Sequence, residues 1–209
     1  MEIRGCIFDF GGVMTPALLP DLARPLVEGV GAKWGDVVAG YARHRRLMDG
    51  DIITMEEMYE RIWREIGAEV SADALARIVA ADRASFLARD EETLAFMRSL
   101  RARGFAIGIL TNMPTSFAPL FRERFADYIA LADAVVVSGE ERLYKPMPEI
   151  YALMQRRIGM EPGSLCFFDD VEANCAAARA AGWRAVRFES AAQCARDFGA
   201  ILGADGATA

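Results

Sequence analysis

Short apolar segments alternate with amphipathic helical patterns along most of this chain, and this alternation restricts the fold more than any other feature. The apolar segments have the character of buried strands and lie at 3–9, 103–110, 133–137, 165–168 and 184–188. Helical patterns in the second half lie at 90–103, 115–126, 147–159, 172–182 and 190–202. Strands separated by helices of this length are joined by crossover connections and pair in parallel. The sequence therefore predicts an α/β core, a doubly wound, Rossmann-like parallel sheet of five strands.

Residues 15–89 show helical periodicity and no convincing strand, so they form an insertion after the first strand. Thr54 and Glu57 fit a capping box at the start of one helix, and Ser71 fits the N-cap of the next. Because the insertion follows the carboxyl end of the first strand, we predict a helical cap subdomain over the ligand-binding edge of the sheet. Packing of these helices against the side of the sheet is the alternative.

We expect three parts in the chain: a core domain at 1–14 and 90–203, a cap at 15–89 and a flexible tail at 204–209. The length of 209 residues suffices for one core and a smaller subdomain. With 53% apolar and 26% charged residues, the composition is that of a folded protein.

Composition also argues against several classes of protein. The net charge of −6 disfavours general binding to nucleic acids or to anionic membranes. No leader pattern precedes the first strand, and no apolar run approaches the roughly 18 residues of a membrane helix. The cysteines lack metal or redox spacing, which predicts free thiols and a cytoplasmic location; they are Cys6, Cys166, Cys175 and Cys194. The single histidine, His44, nearly excludes a Ser-His-Asp triad.

Four polar motifs follow the ends of the predicted strands or lie in the loops beside them. They are Asp9 with Gly11 and Gly12 behind it, Thr111-Asn112, Lys145, and Asp169-Asp170. The carboxyl ends of parallel strands meet at one edge of a sheet, where α/β proteins bind their ligands. We therefore expect these side chains to converge on one site.

The residue types in these motifs indicate a chemistry. Three crowded carboxylates repel one another and require a cation, and their hard oxygen atoms favour Mg²⁺ over zinc. An ammonium group such as that of Lys145 suits a phosphate. The Thr111 hydroxyl and nearby backbone N–H groups can hold phosphoryl oxygens, and the Asp9 carboxylate can act as a nucleophile.

Each residue also has an ordinary structural alternative. Asp9 fits a turn aspartate that bonds its own backbone. Thr111 and Asp170 fit helix caps. Lys145 fits a solvated surface lysine, and Asn174 either orients one of the aspartates or faces solvent.

Taken in order, the motifs resemble the four signature motifs of the haloacid dehalogenase superfamily. The matching segments are Phe8-Asp9-Phe10-Gly11-Gly12-Val13, Leu110-Thr111-Asn112, Lys145-Pro146-Met147-Pro148-Glu149-Ile150-Tyr151 and Phe168-Asp169-Asp170-Val171-Glu172-Ala173-Asn174. The resemblance covers nearly the whole chain, with a cap between the first two motifs. Within the superfamily, the chain resembles the subgroup with bacterial sugar-1-phosphate phosphatases and the phosphatase domain of epoxide hydrolases.

The resemblance implies a role for each motif in a Mg²⁺-dependent phosphatase. Asp9 would form an aspartyl-phosphate, and Thr111, Asn112 and Lys145 would hold the phosphoryl group. The metal ligands would be Asp9, the carbonyl of Gly11 and Asp169. Asp170 and Asn174 would stand directly behind them.

The chain departs from the usual phosphatase pattern at Gly11, where most such enzymes carry a second aspartate as general acid and base. A missing acid costs about 10²–10⁴-fold in rate on poor leaving groups. Three explanations remain open: a phosphatase for better leaving groups or with an acid from the cap, a metal-independent dehalogenase, and a binding protein without catalysis. The pair Asp169-Asp170 favours a metal and therefore the phosphatase.

The cap carries the densest basic run of the chain, residues 43–46. We expect Arg45 or Arg46, with His44 as a further candidate, to contact the substrate, the alternative being a solvated helix face. The substrate would be a small phosphorylated metabolite such as a sugar phosphate or a nucleotide. We expect a monomer or a homodimer with no nucleic-acid or membrane partner.

Overall fold

The computed structural model describes residues 2–16 and 22–206, and within this part of the chain it contains one five-stranded sheet. The strands are β1 (Gly5–Phe8), β2 (Ala106–Thr111), β3 (Ala134–Val137), β4 (Leu165–Asp169) and β5 (Arg184–Arg187). All neighbours pair in parallel in the order β3-β2-β1-β4-β5. The strand order reverses between β1 and β4, which is where sheets of this kind bind ligands. The predicted fold class is confirmed.

Five helices of the described residues lie between β1 and β2, and we call the first four the cap helices. They are α1 (Arg24–Gly29), α2 (Trp34–Asp49), α3 (Met55–Ile66) and α4 (Ala72–Ser85). The capping box is confirmed, because the Thr54 hydroxyl accepts a hydrogen bond from the amide of Glu57 (3.0 Å), whose carboxylate accepts one from the amide of Thr54 (2.8 Å). The Ser71 cap is confirmed as well, with its hydroxyl 3.2 Å from the amide of Ala74.

The remaining helices are α5 (Glu91–Ala102), α6 (Ala118–Arg124), α7 (Ala126–Ile129), α8 (Ser138–Glu141), α9 (Pro148–Ile158), α10 (Glu172–Ala180) and α11 (Ala191–Gly206). The helix predicted over 115–126 is divided at Phe125, which has non-helical dihedral angles (φ −112°, ψ 27°) and packs its ring on Phe10. The last helix continues to Gly206, into the predicted tail, while residues 207–209 lie outside the described residues.

Both faces of the sheet are buried, and this burial fixes the strand register. On one face Phe8 stacks on Phe168, with ring centroids 4.8 Å apart. On the other face Ile7 and Phe167 belong to a second hydrophobic cluster. Because successive strand residues alternate between the faces, a slip of one residue would exchange the two sets. The register aligns Phe8 with Phe168 and Ile109, so the residues after β1 and β4 lie side by side.

The cap helices have a hydrophobic cluster of their own, which includes Tyr59, Ile62 and Ile78. All four cysteines are buried and free, as the sequence predicts. Among the described residues, no helix combines the length and the apolarity that crossing a membrane requires.

Hydrogen bonds attach the end of α2 to the core at the carboxyl edge of the sheet. The carboxylate of Asp51 accepts hydrogen bonds from the amide of Thr115 (2.9 Å) and from its hydroxyl. The hydroxyl of Ser138 donates to the carbonyl of Asp49 and accepts from the amide of Met113 (2.7 Å). Asp51 has a positive φ of 56°, a conformation that aspartate tolerates better than most residues. These bonds place the last turn of α2 next to the strand ends.

Candidate active site

Asp9 follows β1 directly and is held by backbone contacts of that strand end. Its amide donates to the carbonyl of Phe168 (2.9 Å), and its own Oδ1 accepts from the amide of Phe10 (2.7 Å). The side chain is buried, but it lines a cavity at the edge of the sheet. Within the described residues the polar contacts of this carboxylate all reach Oδ1, so Oδ2 remains available to a ligand.

Lys145 reaches the same point from the loop before α9. Its ammonium lies 2.6 Å from Oδ1 of Asp9 and 2.7 Å from Oδ2 of Asp169, and the residue is only 1% exposed. The solvated alternative is therefore wrong. The Asn112 side chain fixes the loop, because it accepts from the amide of Lys145 (2.7 Å) and donates to its carbonyl (3.0 Å).

The two adjacent aspartates at the end of β4 differ in their surroundings. Asp169 is fully buried, and besides Lys145 it accepts hydrogen bonds from the amide of Val171 (2.8 Å) and from the side-chain amide of Asn174 (3.0 Å to each oxygen). Asn174 therefore orients an aspartate, as one reading of the sequence predicts. Asp170 instead lines the cavity and lies against Gly12.

The contact between Asp170 and Gly12 requires a glycine. A Cβ atom at residue 12 would lie 2.6 Å from Oδ2 of Asp170, and the φ of +77° is a conformation that side chains rarely adopt. Asp170 does not cap a helix, since the N-cap of α10 is Val171. The turn after β1 thus brings its backbone directly beside this carboxylate.

Thr111 ends β2 and is 1% exposed. Its hydroxyl is buried without a hydrogen-bond partner in the described residues, and the N-cap of the next helix, α6, is Phe117. The helix-cap alternative is therefore wrong. A buried hydroxyl without a partner is costly, so it is typical of a group that serves a ligand.

The charges at the strand ends do not balance among themselves. Three carboxylates face one ammonium group, which leaves an excess of two negative charges; they belong to Asp9, Asp169 and Asp170. Burial raises the pKa of Asp9, the Lys145 ammonium opposes this, and the other two carboxylates raise it further. Burial would lower the pKa of Lys145, but Asp169 and Asp9 raise it on balance.

A divalent cation fits this cluster. One oxygen from each of the three carboxylates lies within 4.8 Å of the others, and oxygen is the ligand atom that Mg²⁺ prefers. A charge of +2 would neutralise the excess and allow Asp9 to ionise. Gly11 lines the same cavity, so its backbone stands beside the cluster.

The cavity has a volume of about 200 Å³ and lies between the strand ends and α2. Both predicted arginines of the cap, Arg45 and Arg46, line it together with the core residues. His44 does not, because its ring pairs with Glu65 of α3 at 2.6 Å, and Arg43 pairs with the same carboxylate.

Asp49, the last residue of α2, also lines the cavity, and the sequence analysis did not single it out. Its side chain is 5% exposed and lies 3.3 Å from Nε of Arg45. Burial raises the pKa of Asp49, while Arg45 and Lys145 lower it. The one signal in the sequence was its spacing of four residues from Arg45, which places both on one face of a helix.

Comparison with known proteins agrees with the geometry. A family model described as haloacid dehalogenase-like hydrolase matches residues 3–182. Phosphatase MT3486 of Mycobacterium tuberculosis is 28% identical over 92% of this chain and 90% of its own length. Acyl-CoA dehydrogenase family member 10 of Mus musculus is 27% identical over 96% of this chain, which spans only 19% of that protein.

Solved structures have the same fold. A haloacid dehalogenase family enzyme from Bacteroides thetaiotaomicron, in complex with magnesium and inorganic phosphate, superimposes with a TM-score of 0.64 at 20% identity, covering 88% of this chain and 93% of that one. The L-2-haloacid dehalogenase RSc1362 gives a TM-score of 0.69 at 18% identity, covering 88% and 86%. The family match, the parallel sheet and the carboxylate–lysine site lead to one conclusion: this protein is a hydrolase of the haloacid dehalogenase-like family.

Proposed function

We propose that this protein is a Mg²⁺-dependent phosphatase that acts on a small phosphorylated metabolite through an aspartyl-phosphate on Asp9. The observation that carries the proposal is the buried contact of Lys145 with both Asp9 and Asp169, beside the free hydroxyl of Thr111. An ammonium, a hydroxyl and a carboxylate with one oxygen available are what a phosphoryl group needs for binding and attack.

In this proposal the roles follow the contacts. Lys145 and the amide of Phe10 hold Oδ1 of Asp9, which leaves Oδ2 to attack phosphorus. Thr111 and Lys145 bind phosphoryl oxygens, and Asn112 keeps Lys145 in place through its two backbone hydrogen bonds. Asn174 holds Asp169, which in turn orients the ammonium.

The cation would be held by Asp9, the carbonyl of Gly11 and the pair Asp169-Asp170. When bound, Mg²⁺ would supply positive charge to the phosphoryl oxygens. Asp170 is the better presented of the pair, because it lines the cavity while both oxygens of Asp169 already accept hydrogen bonds. The Bacteroides thetaiotaomicron structure with magnesium and phosphate supports this choice of metal.

The size of the cavity and the two arginines on its cap side support a small anionic substrate. A volume of about 200 Å³ with Arg45 and Arg46 on the cap side suits a phosphorylated metabolite of modest size. The buried free cysteines support the cytoplasm as its compartment.

The test is hydrolysis of p-nitrophenyl phosphate with Mg²⁺. We expect activity that chelation with EDTA abolishes, and a loss of at least about three orders of magnitude in Asp9→Asn. Asp73→Asn, on the exposed surface of α4, is the matched control and should retain wild-type activity. Halide release from a 2-haloacid without metal would instead identify a dehalogenase. Inactivity in both assays would indicate a binding protein.

A further inference from the structure

The turn after β1 has no side chain that could give a proton to a leaving group, because Gly11 stands two residues after Asp9. We propose that Asp49, on the cap helix α2, supplies this proton as the general acid; the proposal rests on the phosphatase function above. The acid would then come from the cap and not from the core.

Asp49 has the position that the role requires. It lines the same cavity as Asp9 and Lys145, and it does so from the cap helix α2, whereas Asp9 follows β1. Its Oδ2 faces Arg45 at 3.3 Å, and Oδ1 has no partner among the described residues. One carboxyl oxygen is therefore free to meet a substrate.

Burial and the helix end favour the protonated form of Asp49, and burial outweighs Arg45 and Lys145, which favour the ionised form. Asp49 is 3% exposed, and it lies at the carboxyl end of a 16-residue helix, where the helix dipole disfavours negative charge. The charged groups around the cavity are the cations Arg45, Arg46 and Lys145 and the anions Asp9 and Asp170. A bound phosphoryl dianion adds negative charge and favours protonation of Asp49 further.

The carboxyl group is also held relative to the core. The carbonyl of Asp49 accepts from the hydroxyl of Ser138, which itself accepts from the amide of Met113 at 2.7 Å. Met113 follows Thr111 by two residues, so the acid and the phosphate-binding segment share one hydrogen-bonded junction. A general acid must be positioned in this way to act within hydrogen-bond reach of its target.

The proposed reaction has two steps, and Asp49 gives a proton in the first and takes one back in the second. In the first, Oδ2 of Asp9 forms a bond to phosphorus as the bond between phosphorus and the ester oxygen breaks, and that oxygen takes the proton of Asp49. In the second, water attacks phosphorus, its proton passes to the Asp49 carboxylate, and Asp9 leaves as a carboxylate. Phosphate is released and Asp49 is again protonated.

The test compares leaving groups in wild type and Asp49→Asn. p-Nitrophenolate leaves without protonation, whereas the alkoxide of ethyl phosphate needs it, so we expect a loss of about 10²-fold or more with ethyl phosphate and less than about tenfold with p-nitrophenyl phosphate. Asp36→Asn, exposed in the first turn of the same helix, is the matched control and should change neither rate.

A second variant guards against a general defect of folding. Gly11→Asp placed in the Asp49→Asn protein should restore hydrolysis of ethyl phosphate, because it returns an acid to the core. If Asp49→Asn loses equal activity with both substrates and Gly11→Asp does not restore it, the role of Asp49 as general acid is wrong. The phosphatase function would not be affected by that result. A wild-type protein inactive towards both phosphates would overturn the phosphatase function, and this inference with it.

Discussion

The two walls of the cavity hold their charged groups in different ways. On the core wall, Asp9 and Asp169 are buried, both pair with the buried Lys145, and both lie at the ends of strands whose register is fixed by packing on both faces. On the cap wall, Arg45 and Asp49 lie on one helix, whose end meets the core through a few hydrogen bonds. The difference indicates that the groups of the core wall are held more firmly than those of the cap wall. In the proposed reaction the core wall would carry the chemistry and the cap wall the choice of substrate.

The strongest test of the core wall is Lys145→Met. It leaves Asp9 and Asp169 buried without their ammonium, so we expect a loss of about 3–5 kcal/mol in the free energy of unfolding together with loss of phosphatase activity. Urea unfolding and p-nitrophenyl phosphate hydrolysis measure the two effects. Lys33→Met, at the other, exposed lysine, is the control. Unchanged stability would show that the buried ion pairs do not hold this wall together.

The cap has a buried carboxylate whose partner is a tyrosine instead of a lysine. Asp82 accepts a hydrogen bond from the hydroxyl of Tyr59 (2.9 Å), and burial raises its pKa from 3.8 to about 6 in spite of that bond. Between about pH 4 and pH 6 the folded state therefore binds more protons than the unfolded state, and stability falls as pH rises.

Replacement of this carboxyl by an amide should remove that pH dependence. In Asp82→Asn we expect the fall in unfolding free energy between pH 4 and pH 6 to be smaller than in the wild type by at most about 3 kcal/mol. Urea unfolding at several pH values checks it. Identical pH profiles of the two proteins would mean that Asp82 ionises normally inside the cap.

A third prediction distinguishes the roles of the two aspartates at the end of β4. Asp170→Asn should raise the Mg²⁺ concentration for half-maximal activity by at least about tenfold, because this side chain lines the cavity. Asp169→Asn should mainly lower stability, since it breaks contacts with Lys145 and Asn174. Magnesium titrations and urea unfolding distinguish them, with the exposed Glu172→Gln as control. A reversed pattern would make Asp169 the main ligand.

The smallest effect concerns the attachment of the cap. Asp51→Ala removes the hydrogen bonds to Thr115 at the end of α2, so we expect kcat/KM to fall by about tenfold. We also expect a loss of about 1–2 kcal/mol in unfolding free energy, because alanine tolerates the positive φ of this residue less well than aspartate. Steady-state kinetics check this, with Asp73→Ala on α4 as control. If kcat/KM does not change, the remaining contact through Ser138 is enough to hold the cap.

Local sequence patterns were sufficient to predict the sheet and the core wall. The period of the apolar residues located the strands, and the polar residues at their ends converge because parallel strands share one edge. The sequence could not predict that Asp169 is buried while Asp170 faces the cavity. The difference depends on the hydrogen bond from Asn174 to Asp169 and on the close approach of Gly12 to Asp170. Asp49 was missed for a related reason: its burial arises from the docking of α2 on distant loops.

Among the residues that the structure describes, the cap side of the cavity is lined by α2 alone, through Ala42, Arg45, Arg46 and Asp49. In the proposed reaction, two turns of this helix would face the part of the substrate that is not the phosphoryl group. Under the proposed function, substitutions within the eight residues 42–49 would change the substrate preference and leave Asp9, Lys145 and Asp170 untouched.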